Sequence, residues 1–209
     1  MKEKTYLLFS IFAMLVLMSS CRTSKNKVET TTPVVKVDTL PVMPAEPKLK
    51  PIQVKYAEVL GVDASEVTNI KLYEFVDEWL NTSYKMGGEN KKGIDCSAFA
   101  QHCYVDVYGY LLERTSNRMA SAKSTDKFIG QEFLKEGDIL FFKKPNSKDE
   151  TITHVGVYLQ NNKFVSASGY AGPEKFKGVK VSDLKDSWWQ ERFMYAGRKP
   201  LPIYLTEEQ

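Results

Sequence analysis

Groups able to do chemistry are scarce in this chain: its 209 residues include only two histidines and three cysteines. Long apolar runs are missing as well. Tyr6 to Met18 spans about 13 residues, short of the roughly 20 that a membrane-spanning helix needs. Charge of one sign is also lacking, since the formal balance is only +3 and the lysines are scattered. That pattern excludes a nucleic-acid-binding surface, which needs clustered basic residues. There is no internal repeat, and residues 22–69 are too short and proline-rich for a carbohydrate-binding or SH3-like module.

What the chain does have begins at its ends. Lys2 and Lys4 precede the apolar run, and Ser19 and Ser20 precede Cys21, so residues 1–20 read as a signal peptide. Small residues followed directly by cysteine resemble the lipobox of bacterial lipoproteins, with Met18 where that motif usually has leucine. The resemblance implies that Cys21 is diacylated and becomes the new N-terminus. The other reading is a plain secretory signal with an incidental cysteine. Either way the mature chain lies outside the cytoplasm, and losing residues 1–20 lowers the net charge from +3 to +2. With the lipid, the expected location is the cell envelope, on the periplasmic side of an outer membrane. The acidic run after the cysteine that could signal surface export is absent, because Arg22 to Lys27 is basic.

Residues 21–50 contain no glycine and no aromatic residue, and five prolines fall between Pro33 and Pro51. This segment reads as the lipidated cysteine and a disordered tether of roughly 90 Å when extended. Residues 51–209 then suit one domain of ordinary size, expected to be a monomer.

Helical periodicity predicts helices over 52–60 and 70–80, the second with Leu72, Phe75, Val76, Trp79 and Leu80 on one face. A glycine-containing loop, SYKMGGENKKG, leads into a third helix from Cys96 to Tyr108 that stops at Gly109. Strands follow at 138–142, 154–159, 163–168, 177–181 and 192–198. Helices first and an antiparallel meander afterwards give the α+β class.

GIDCSAFAQHC, residues 93–103, concentrates two cysteines and a histidine in one helical segment. Cys96 and Cys103 stand about 10.5 Å apart along a helix axis, too far for the ~7 Å Cα separation of a disulfide. Cys96, His102 and Cys103 do not converge on one face, so no metal site is expected, and no other cofactor is implied. Asp95 is placed to cap the helix, leaving Cys96 in its first turn, where the partial positive charge should lower the thiol pKa. Cys103 reads as buried and inert. His102 points away from Cys96 and reads as a helix-surface residue. His154, at the start of an apolar strand, is by elimination the base for a thiol nucleophile.

Y-K-M-G-G (84–88), G-I-D-C-S-A-F (93–99), R-T-S (114–116), G-D-I-L-F-F (137–142) and H-V-G-V-Y-L (154–159) resemble, in the same order, motifs of the NlpC family of cell-wall peptidases. The similarity covers roughly residues 70–200. It implies a papain-like architecture and hydrolysis of peptidoglycan stem peptides between D-glutamate and a diamino acid. Cys96 then matches the nucleophile, His154 the base, and Tyr84 a tyrosine lining the site. Asp95 and Ser97 match residues that meet the substrate. The resemblance implies no metal and no organic cofactor.

One position departs from the pattern. The family usually has a polar residue, most often histidine, twelve positions after the base, where this chain has Ser166. Such a group orients the imidazole and stabilises its charged form. A serine hydroxyl is shorter, and is expected to reach the ring through a water molecule. Register matters too. A two-residue Asn-Asn turn would pair His154 with Gly169 and point Ser166 to the other face. A three-residue Gln-Asn-Asn loop would pair Gly156 with Ser166 and keep Ser166 on the face of His154; the family pattern favours this. The expectation is a working site with a less tightly held base. The alternatives are a non-catalytic wall-binding lipoprotein and an amidase or acyltransferase of the same fold.

Overall fold

The computed structural model describes residues 48–170 and 175–200. The expected signal peptide, Cys21 and the tether up to residue 47 lie outside the described residues, and among those described no helix is long and apolar enough to cross a membrane. Helix α1, Pro51–Leu60, starts with proline at a position where no intrahelical N–H is lost. Helix α2, Ile70–Trp79, is capped by Asn69, whose side chain accepts the Leu72 N–H. It buries Leu72, Phe75, Val76 and Trp79 of the expected stripe and Tyr73 besides, while Leu80 falls just past its end and is half-buried. After the two-residue strands β1 (Glu89–Asn90) and β2 (Gly93–Ile94) comes helix α3, Cys96–Tyr108. It ends at Gly109, whose φ of 64° is a conformation that glycine adopts without strain.

Helix α4 (Ser116–Ser121) leads into the sheet strands β3 (Asp126–Phe128), β4 (Ile139–Lys143), β5 (Ile152–Tyr158), β6 (Lys163–Ser168) and β7 (Gly178–Asp183). The short helix α5, Ser187–Gln190, precedes the last strand, β8, Phe193–Arg198. Six strands form one antiparallel sheet in the order β3-β8-β4-β5-β6-β7. The class is α+β, as the sequence implies. The expected meander holds for β4 to β7, whereas β8 returns to the far side of β4 and takes β3 as the edge. The supposed loop before α3 contains the β1–β2 pair, held by Glu89↔Ile94 and Asn90↔Gly93.

Side-chain alternation along the strands fills two cores. Ile139, Phe141, Val155, Val157, Val165 and Ala167 pack with the helices, where α3 lies against β5 and β6 and α4 against β5. On the opposite face Leu140, Phe142, Tyr158, Phe164 and Trp189 form a second, smaller cluster. His154 and Ser166 belong by alternation to this second face.

Candidate active site

The β5–β6 pair is closed by a three-residue loop, Gln160-Asn161-Asn162, with the Leu159 N–H bonded to the Lys163 carbonyl at 2.9 Å. Both asparagines take positive φ, 47° and 62°, which asparagine tolerates better than most residues. The register runs Tyr158↔Phe164 and Val157↔Val165, so His154 and Ser166 share a face, as the three-residue alternative requires. Pairing stops at Val157, and beyond it the strands part. On β5 the amides of Leu159 and Tyr158 point to β6 and β4 respectively, so that of Val155 points toward β6. With no β6 partner, it faces the sulfur of Cys96 instead.

Cys96 therefore enters at the split between two strands, on the first turn of α3 and beside the residue that follows His154. Asp95 is the N-cap, its Oδ1 accepting the Ala98 N–H at 2.7 Å. The placement is the expected one, but the acidity is not. Cys96 is only 7% exposed, and burial pushes its thiol up to about 11. The Asp95 charge adds to this, while the N–H groups of Val155, Ser97 and Cys96 itself act in the opposite sense. Desolvation outweighs the helix terminus, so the resting group is a neutral thiol. Cys103, fully buried, is likewise held protonated by burial.

His154 is clamped on several sides. Trp189 stacks on its ring at 5.3 Å and 26°, and Phe142 packs at 5.7 Å. Its Nε2 lies 3.2 Å from Ser166 Oγ, a direct contact. The water-bridged arrangement expected from the shorter side chain is not needed, because the register brings the fully buried Ser166 close enough. Burial, and secondly the charge of Arg192, push the imidazole down to about 3. It too is neutral at rest. In the tautomer that leaves Nδ1 free to take a proton, Nε2–H donates to Ser166.

Tyr84 and His154 line one cleft of about 320 Å³ with Ser168, Gly169, Tyr170, Trp188 and Arg192. The Tyr84 hydroxyl is shifted upward in pKa, by burial first and then by the nearby Cys96 and Asp95. Gly169 admits the tyrosine ring, since a Cβ there would stand 3.0 Å from Tyr84 Cε1. Asp95 and Ser97 do not line this cleft. Asp95 also accepts the Gly87 N–H at 3.1 Å and the Ser97 hydroxyl at 2.9 Å. Arg114 reaches both Asp95 oxygens, at 3.3 and 3.1 Å, and Ser97 Oγ at 3.0 Å. Burial acts to raise the Asp95 pKa, but hydrogen bonds from Ala98, Arg114 and Ser97 outweigh it and leave the carboxylate below its usual range. The two residues expected to meet substrate are thus engaged within the protein.

No role for Arg114, Trp188, Trp189 or Arg192 follows from the sequence alone. Arg114 stood in the quoted R-T-S motif, but the other three had no local signal. His102 is half-buried, stacked on Trp79 at 5.1 Å and bonded through Nε2 to the Glu89 carbonyl at 3.0 Å, tying α3 to β1. Among the described residues no group of three or more His, Cys, Asp or Glu stands together as a metal-ligand set.

The sequence profile of the NlpC/P60 family matches residues 81–198. The "Probable endopeptidase NlpC homolog" of Haemophilus influenzae is 38% identical over 122 residues, covering 58% of each chain. The "Murein DD-endopeptidase MepS/Murein LD-carboxypeptidase" of Escherichia coli K12 is 32% identical over 58% of this chain and 57% of its own length. The chain thus spans less than two thirds of these relatives. The crystal structure of an NLP/P60-family protein from Staphylococcus aureus, described as similar to lipoprotein, superposes with a TM-score of 0.53 at 24% identity. It covers 63% of this chain and 41% of that one, and shares the fold.

Proposed function

The chain belongs to the NlpC/P60 family, and on that premise we propose that it is a peptidoglycan hydrolase, a papain-like cysteine endopeptidase cutting stem peptides between D-glutamate and a diamino acid. The observation that carries this reading is the seating of Cys96, at a helix N-terminus and against the split strand that holds His154. In the mechanism the neutral imidazole takes the thiol proton on Nδ1 as the sulfur attacks the scissile carbonyl. The Cys96 N–H and the Tyr84 hydroxyl stabilise the oxyanion. The imidazolium then protonates the leaving amine, and a thioester to Cys96 remains. Deprotonated by His154, water attacks the thioester and releases the acid and the thiol. Ser166 keeps the ring oriented through both halves by accepting from Nε2.

The same reading takes residues 1–20 as signal peptide, Cys21 as the lipid anchor, 21–50 as tether and 51–209 as the peptidase domain. The protein then works as a monomer on the periplasmic side of the outer membrane, with peptidoglycan stem peptides as its partner. Digestion of purified sacculi, with products identified by mass, tests the activity. New D-glutamate and diamino-acid termini support the assigned bond, whereas opened D,D cross-links would align the chain with the murein DD-endopeptidase of E. coli. Retained cleavage by Cys96→Ala would refute the mechanism. The buried, neutral thiol favours a second reading, wall binding without cleavage. Intact sacculi that retain bound protein would establish it.

A further inference from the structure

Arg192 is 7% exposed, yet no carboxylate among the described residues pairs with it. Arg114 and Arg198, by contrast, rest on Asp95 and Asp138. The Arg192 Nε–H donates to the Lys143 carbonyl at 2.9 Å. Its guanidinium lies over Trp188 and Trp189, 5.0 and 5.2 Å from their ring centres, so the fork is held in place. Both terminal NH2 groups are without a hydrogen bond among the described residues. Those donors open onto the cleft, and burial of the rest of the side chain already disfavours the charge, so an anion entering the cleft would complete it. A second leftover donor lies nearby. Trp188 Nε1 is the one buried side-chain polar atom without a partner among the described residues. Both side chains line the cleft that contains His154.

Resting on the endopeptidase reading above, we propose that Arg192 and the Trp188 indole N–H receive a carboxylate on the leaving segment of the substrate. The enzyme then selects a diamino acid that carries a second carboxyl group, such as diaminopimelate, over lysine. A planar guanidinium fork matches a carboxylate in geometry. The side follows from the chemistry: His154 must protonate the leaving amine, and Arg192 is the charged group acting on His154. A bound carboxylate would also offset the Arg192 charge that disfavours the imidazolium, making His154 more basic once the cleft is filled.

The test uses L-alanyl-γ-D-glutamyl peptides ending in diaminopimelate, its side-chain carboxamide, or lysine. Wild-type kcat/KM is expected to favour the free carboxylate about 10- to 100-fold over the other two. Arg192→Gln should collapse that ratio, Arg192→Lys should restore part of it, and Trp188→Phe should reduce it. Equal wild-type rates on carboxylate and carboxamide would overturn the proposal without any variant, as would an unchanged ratio in Arg192→Gln. Binding to Cys96→Ala protein separates the two readings. Carboxylate-dependent binding that requires Arg192, with no cleavage by wild type, supports the site and refutes the peptidase. Cleavage of all three peptides at one rate keeps the peptidase and removes the site.

Discussion

Ser166 holds His154 with a neutral hydroxyl, which can accept from Nε2 but cannot offset a full charge when the imidazolium forms. Ser166→Ala is therefore expected to lower kcat by about 3- to 10-fold, the worth of one neutral hydrogen bond. KM should change little, and steady-state kinetics on a muropeptide reads the split. The resting state of the pair makes a second prediction. His154 is neutral above about 3 and Cys96 protonated below about 11. Because kcat/KM reports groups of the free enzyme, it should stay nearly flat from about pH 5 to 8, with no acid limb near the ordinary histidine value. An inflection near 6.5, where an unperturbed imidazole titrates, would show that His154 is not the base or not buried. Alkylation of Cys96 by iodoacetamide should still be accelerating past about pH 9 in the free protein. A plateau well below that would indicate a preformed thiolate.

The N-terminus of α3 is built from Asp95, Ser97 and Arg114, and its strength is an element-scale property. Asp95→Ala removes the cap and is expected to cost about 1 to 2 kcal/mol in chemical denaturation. Arg114→Ala should cost less than that, since its side chain is 34% exposed and partly screened. Helix α3 was legible in the sequence because its start and stop signals are both local: a capping aspartate and a glycine that takes left-handed φ. Strands β4 to β6 were legible as apolar runs, and so were the places of Cys96 in the first turn of a helix and of His154 on a strand. Strands β1 and β2 were not, being two residues each with no alternation to detect. Helices α4 and α5 are short and held by the Thr115 and Asp186 caps rather than by periodicity. The return of β8 to β4 is a non-local pairing. The thiol's raised pKa, and the meeting of Arg192 with His154, come from burial that only the assembled fold creates.

Across the whole molecule, a neutral histidine in the core makes stability depend on acid. As pH falls below 6.5 the unfolded chain binds a proton at His154 that the folded chain refuses until about 3. Stability should therefore decline through that window by up to about 1.4 kcal/mol per pH unit from this group. Thermal melts of wild type and His154→Gln should diverge in slope by one proton, and parallel curves would count against the burial of His154. The Gln160-Asn161-Asn162 loop sets a different limit, on which changes the protein can survive. Surface hairpin loops usually accept insertions and deletions. This one also sets the register that brings His154 and Ser166 together. Deleting a single asparagine would turn Ser166 to the opposite face and leave every cleft residue in the sequence unchanged. Variants selected for activity after random mutagenesis should thus lack length changes in this remote, polar loop as completely as they lack replacements of Cys96.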